Sequence, residues 1–352
     1  MKKENCTCSS RANRVGGQAV LEGVMMKAGE KCSTACRVES GDIVVNDRSF
    51  VSVRKKHKWL NIPILRGVVN FVEMLMLSYS TLTVSAELMG VEEEESKAEK
   101  WFKKHLGVGL FDVIMVIAMV LGIALAVGLF IYLPTVAVSF LAKVADVDLG
   151  NLRAIPEGVI RIGIFVLYIY LVSLMPDIRR TFEYHGAEHK SIACFEAGEE
   201  LTPENAKKHT RFHPRCGTSF MFVMLFISII VGMLIPASLG DLLRSVIKLA
   251  LVPLIVGFGY EFIMLAGKHN NIVTRVLSAP GLWMQRLTTR EPSEDQLEVA
   301  LTALMYAMPD EFPDFNREYY TKEAVDARNA KQTVTGEEKP SDEGTSDGTD
   351  SK

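Results

Sequence analysis

Apolar residues are concentrated in the middle of the chain. The first hundred residues and the last eighty or so are mixed, while four long apolar runs lie between them. Leu110 to Leu133, LFDVIMVIAMVLGIALAVGLFIYL, carries one charge, Asp112, near its start. Gly158 to Met175 carries Arg161 one turn in, and Ser219 to Ile235 is uncharged. Ser245 to Ala266 has Lys248 near one end and Glu261 near the other. About 20 apolar residues let a helix cross a hydrocarbon core of about 30 Å. Each run is therefore expected to span a membrane, the second and third by tilt or local thinning. Four buried helices of a soluble bundle are the alternative. A further stretch, Gly67 to Ala86, is apolar apart from Glu73. It is read as an interfacial or re-entrant helix, because a crossing there would place the basic N-terminal flank outside, against the charge rule.

Outside the apolar runs the periodicity changes. Ala19 to Val53 breaks into short β-prone pieces separated by turn signals such as ESGD, which predicts a small antiparallel meander. In REPSEDQLEVALTALMYAM, Ser293 and Gln296 form a capping box. Leu297, Ala300, Leu301, Leu304, Met305 and Met308 then line one helical face. From about Asn329 to Lys352 hardly any apolar residue occurs, so disorder is expected. The fold class expected is an α-helical membrane protein of four transmembrane helices plus an interfacial or re-entrant helix, with a small N-terminal β-meander and cytosolic helices. Its parts would be a β-rich cytosolic region (1–60), the interfacial helix and linker (61–108) and a four-span domain (109–266) carrying a loop at 176–218. Cytosolic amphipathic helices (267–320) and a disordered tail (321–352) would follow.

Charge adds orientation. Net charge is −3 over 352 residues, too near neutral to point to nucleic acid. Arg179, Arg180, Lys190, Lys207, Lys208, Arg211 and Arg215 crowd the loop between the second and third runs. The other two inter-run loops hold Lys143, Arg153 and Arg244, whereas both flanks are basic, notably RKKHK at Arg54 to Lys58. Basic loops stay in the cytosol, so both termini and the 176–218 loop are expected there, in a bacterial plasma membrane. The first thirty residues lack an apolar core, so no signal peptide is expected. Six cysteines give no disulfide framework. Cys32 and Cys36 would stand about 13 Å apart along an extended strand, too far to bridge. With Cys6 and Cys8 they are expected to be ordinary thiols rather than a zinc site.

The candidate chemistry lies in the basic loop. Asp177 is expected to cap a helix running to Gly198, on which His185 and His189 of EYHGAEHK face the same way with Glu188 beside them. His-x-x-Glu-His is the order of the inverted zinc-peptidase motif, whose glutamate is a general base. Gly186 within that helix suggests a close backbone approach. A second helix, capped by Thr202 with Pro203 in its first position, would carry His209 and end near His213, because Pro214 disfavours helix in the residue before it. Cys216 follows three residues after His213. Four of the seven histidines thus fall in this loop, and a divalent metal, zinc by ligand type, is expected. The candidate ligands are His185, His189, His213, Cys216, His209 and Glu261, the last from the cytosolic half of the fourth run. A basic patch meeting anionic lipid headgroups is the alternative. Glu22, bracketed by apolar residues, is a further side chain that could point at this loop.

GGQAVLEGVMM from Gly16, RGVVNFVEML from Arg66, YHGAEHK, FHPRCGTSF and PGLWMQRLTTREP together resemble the YqhQ-like family of bacterial membrane proteins, over roughly Arg14 to Asp314. The resemblance implies a multi-pass membrane protein and a metal-dependent enzyme of unknown substrate, with the metal carried onto His185, Glu188, His189, His213 and Cys216. Glu188 would be the catalytic base and hydrolysis the reaction class. A non-catalytic scaffold, braced by a structural metal and docking a membrane-protein partner, is the rival. A di-iron oxygenase would want more histidines than the chain has. Lipid is the expected partner in every case.

Overall fold

The computed structural model describes residues 11, 14–90, 110–213, 215–268 and 272–335. Four strands, β1 (Val15–Val20), β2 (Gly23–Ala28), β3 (Lys31–Arg37) and β4 (Ile43–Ser49), pair antiparallel in sequence order, as the meander pattern predicts. The β-prone piece AVLEGVMM is split by a tight turn, in which Glu22 has φ +48°. Alternation along the strands serves two cores. Val24, Met26 and Ala35 face a cluster shared with two helices, and Val20, Met25, Cys32 and Cys36 face Leu77 of a third. Cys32 and Cys36 are free and buried; Cys6 and Cys8 lie outside the described residues.

That third helix is α1 (Leu65–Leu88). It binds the sheet region through buried Glu73, which accepts hydrogen bonds from the Ser52 hydroxyl and from the Val53 N–H at 2.7 Å. With 24 residues it is itself long and apolar enough to cross a membrane. Two other helices meet that test, and a fourth span results if one bent pair is counted. Among the described residues the protein is thus mostly helical, with three to four apolar helices of spanning length and one small sheet.

The first apolar run does not stop at Leu133. Helix α2 (Leu110–Val127) continues through a π-helical turn, Gly128–Tyr132, into α3 (Leu133–Ala145). Pro134 has no N–H for the Phe130 carbonyl and its ring crowds that oxygen. The wider turn relieves the crowding, and Arg161 Nε donates to the freed Phe130 oxygen at 2.7 Å. The second run is α4 (Ala154–Val172). Pro176 rather than an Asp177 cap opens α5 (Pro176–Ala197), with Met175 as the extended residue before it. The short α6 (Pro203–Lys208) has the expected Thr202 cap, whose hydroxyl accepts from the Asn205 N–H.

The third run is α7 (Gly217–Met233), shorter than the helices of spanning length. The fourth is broken: α8 (Asp241–Ala250) and α9 (Val252–Lys268) meet at an angle of 47°. Pro253 denies Leu249 its helical hydrogen bond, which accounts for the break. Helix α10 (Ile272–Thr288) follows, packed along α7. The capping box at Ser293 and Gln296 is present and starts α11 (Glu294–Ala307). Leu297, Ala300, Leu301 and Leu304 of α11 are buried against the sheet and α5. The first part of the stretch expected to be a disordered tail forms α12 (Lys322–Thr335). Val325 of this helix is buried, the helix packs beside β4, and the Thr321 hydroxyl accepts from the Ala324 N–H at its start. Residues 336–352 lie outside the described residues.

Candidate functional site

Helix α5 puts His185 and His189 one turn apart, so their rings share a face with centroids 4.4 Å apart. His185 Nδ1 lies 2.8 Å from the Thr288 carbonyl oxygen, and His189 Nδ1 lies 2.6 Å from that of Arg211. A carbonyl can only accept, so each Nδ1 carries a proton, and in the neutral ring the lone pair then sits on Nε2. Cys216, the residue just before α7, brings its sulfur 3.3 Å from His185 Nε2. One donor atom from each of His185, His189 and Cys216 lies within 4.8 Å of the others.

Close backbone approaches assemble this group. A Cβ on Gly186 would stand 2.0 Å from the Arg290 carbonyl oxygen, so the chain leaving α10 crosses α5 where it has no side chain. The Arg290 N–H donates to the Phe182 carbonyl at 2.9 Å, and the crossing presents Thr288 to His185. On the other side of α5, a Cβ on Gly17 of β1 would come 3.0 Å from Glu188 Cγ. The Gly17 N–H donates to the Glu188 carboxylate.

Glu188 is buried at 5% exposure, and its Oε2 has no hydrogen-bond partner. Burial raises its pKa to about 7, against the opposing pull of His185 and the Gly17 N–H. Such a carboxyl can hold or release a proton near neutrality. His213 is also close, its ring centroid 5.5 Å from that of His189. Its Nε2 accepts from the Arg215 guanidinium at 3.3 Å instead of joining the three grouped donors. Burial foremost, then His189, Arg215 and His185, lowers its pKa to about 3, so it stays neutral.

Two expected ligands are placed elsewhere. Helix α6 ends at Lys208 rather than near His213, and His209 turns extended to pair with Glu199 at 3.2 Å, beside Cys194. Glu261 of α9 accepts from the Ile64 N–H at 3.2 Å and from the Arg66 guanidinium, which ties α9 to the start of α1. Glu22 does reach the histidine helix, through Arg180 and the Tyr184 hydroxyl, but not its ring cluster.

The sequence reading missed three supports. Thr288 and Arg211 act through carbonyl oxygens, which every residue has, so no side-chain signal marks them. Gln285 was legible in principle as a polar residue inside PGLWMQRLTTREP. It is fully buried, accepts from the His213 N–H at 2.8 Å and donates to the His213 carbonyl at 2.7 Å, holding the loop as a neighbouring strand would.

Residues 62–310 match the family described as "Protein of unknown function (DUF1385)". Over 295 residues the chain is 34% identical to the "Uncharacterized protein YqhQ" of Bacillus subtilis (strain 168), covering 81% of this chain and 89% of that one. No solved structure matches. The extent of the family match, and the identity across most of both chains, place this protein in the DUF1385, or YqhQ-like, family.

Proposed function

We propose that the protein is a membrane-embedded, metal-dependent hydrolase of the bacterial plasma membrane. His185 Nε2, His189 Nε2 and the Cys216 sulfur would hold a divalent cation, zinc by ligand type, at the cytosolic face. The carrying observation is the pair of imidazoles whose Nδ1 protons are spent on carbonyls, leaving two bare nitrogens beside a thiol. Histidine ligands are commonly oriented in this way by a partner on the other ring nitrogen. Zinc bonds of about 2.0–2.1 Å to nitrogen and about 2.3 Å to sulfur suit donors this close.

An ion in such a site supplies Lewis acidity and lowers the pKa of a bound water to about 7. The chain's own part follows from its geometry. Glu188, with one buried oxygen unpartnered, accepts the proton of the attacking water. Gly17 fixes the carboxylate through its N–H, and His213, held neutral, adds no charge against a cation. Three protein ligands would leave a position open, as in catalytic rather than structural zinc sites. The basic loop between the apolar runs supports the cytosolic placement, and a lipid bilayer is the partner.

Metal analysis of purified protein tests this. Wild type should carry about one equivalent of zinc-class metal by the ligand count, and His185→Ala should lose it. Glu188→Gln should keep the metal and lose hydrolysis across a panel of ester, phosphoester and peptide substrates. A metal-free wild type sinks the reading. Four protein ligands without exchangeable water, read by X-ray absorption, would make the ion a brace.

A further inference from the structure

At the far end of α4 and α7 from the histidines lies a second polar cluster, built from α3, α4, α8 and the turns between them. Lys248 Nζ donates to Glu157 at 2.5 Å and to the Thr135 hydroxyl at 2.6 Å. Arg153 binds Glu157 at 3.1 Å and Asp241 at 2.9 Å. Arg161 donates to the Phe130 carbonyl and to Ser228, both at 2.7 Å. Arg244 is wholly buried and donates through Nη1 to the Ile235 and Pro236 carbonyls. Four cations therefore share the cluster with two carboxylates, Glu157 and Asp241, among the described residues.

Capping of α7 explains one nitrogen of Arg244. Its Nε and Nη2 have no hydrogen-bond partner, and Nη2 stands 3.8 Å from Glu157, beyond donating distance. Glu157 is shared among Arg153, Lys248 and Arg244, so positive charge is in excess among apolar helices, which is costly and calls for an anion. The backbone converges on the same place. The π-helical turn, Gly128–Tyr132, and the first half of the broken helix, α8, pack together there. Broken helices in membrane proteins commonly line a binding site, with a half-helix N-terminus toward the anion. Helix α8 opens with Gly240, which offers no side-chain cap.

We propose that this cluster binds the phosphate of a membrane phospholipid. Arg153 and Asp241, 14% and 30% exposed, form its accessible rim. Around them Leu234, Leu242 and Val144 stand 77%, 69% and 70% exposed, a surface for acyl chains rather than for a soluble solute. The inference is independent of the metal site.

Native mass spectrometry of detergent-purified protein should show one retained phospholipid. Arg153→Gln, at the rim, should retain it at least tenfold less, and Arg153→Lys should recover it in part. Delipidated protein should gain thermal stability from phosphatidylglycerol in mixed micelles. An equal gain from inorganic phosphate, without retained lipid, would keep the anion site and replace its source. Retention in Arg153→Gln equal to wild type overturns the proposal. So does the lack of both retained lipid and any thermal gain.

Discussion

The two polar clusters lie at opposite ends of the same antiparallel helix pair, α4 and α7, whose close packing shows where Gly158 meets Ile229 and Gly232 meets Ala154. One is assembled from imidazole rings, a thiol and backbone oxygens, the other from full charges. In the histidine cluster, hydrogen bonds donated by Nδ1 to backbone carbonyls fix the orientation of both rings. In the charged cluster, Glu157 is shared by Arg153, Lys248 and Arg244, and no single pair is complete alone. The first arrangement fits the proposed cation and the second the proposed anion, although both flank the same two helices.

The largest expected effect breaks the second cluster. Glu157→Ala leaves buried Lys248 and Arg244 without their carboxylate, and removing one partner of a buried pair costs about 3–5 kcal/mol. Thermal unfolding in detergent should show the variant far less stable, with the histidine cluster's metal content per folded molecule unchanged. A wild-type midpoint would mean that the charges are not paired as described. Next comes Gly186→Ala. Its new methyl meets a backbone oxygen that cannot rotate away, an overpacking cost of about 1–3 kcal/mol. Displacing Thr288 from His185 should also weaken metal retention, which equilibrium dialysis would read; unchanged retention would detach the crossing from the site. The smallest effect sharpens the boundary of the histidine cluster. His209→Ala removes a partly exposed pair with Glu199, worth about 0–1 kcal/mol, and should leave the metal content as in wild type. A proportionate loss of metal would return His209 to the ligand set.

Local pattern carried much of this architecture. The meander, the capping box at Ser293 and the shared face of His185 and His189 depend on neighbours in sequence, and all three are present. The first helix passes beyond Leu133 because Arg161, on another helix, satisfies the carbonyl that Pro134 strands. Helix α12 packs beside β4 with Val325 buried, a contact that composition cannot register. Glu261 reads as a ligand candidate until Arg66 is found beside it, nearly two hundred positions earlier in the chain. The second cluster shows the same limit. Its Lys248 and Thr135 are 113 residues apart, and Arg161 and Lys248 each look like an isolated charge in an apolar run.

Strand β1 lies upstream of residue 62, where the family match begins, yet its Gly17 backbone walls off one side of the glutamate on α5. A chain trimmed to that starting point would retain the imidazoles and the thiol of the cluster. It would expose the carboxyl to bulk water and return it toward ordinary acidity. The small sheet thus shields the Glu188 carboxyl as a lid of main chain, contributed by a part of the protein outside the matched residues.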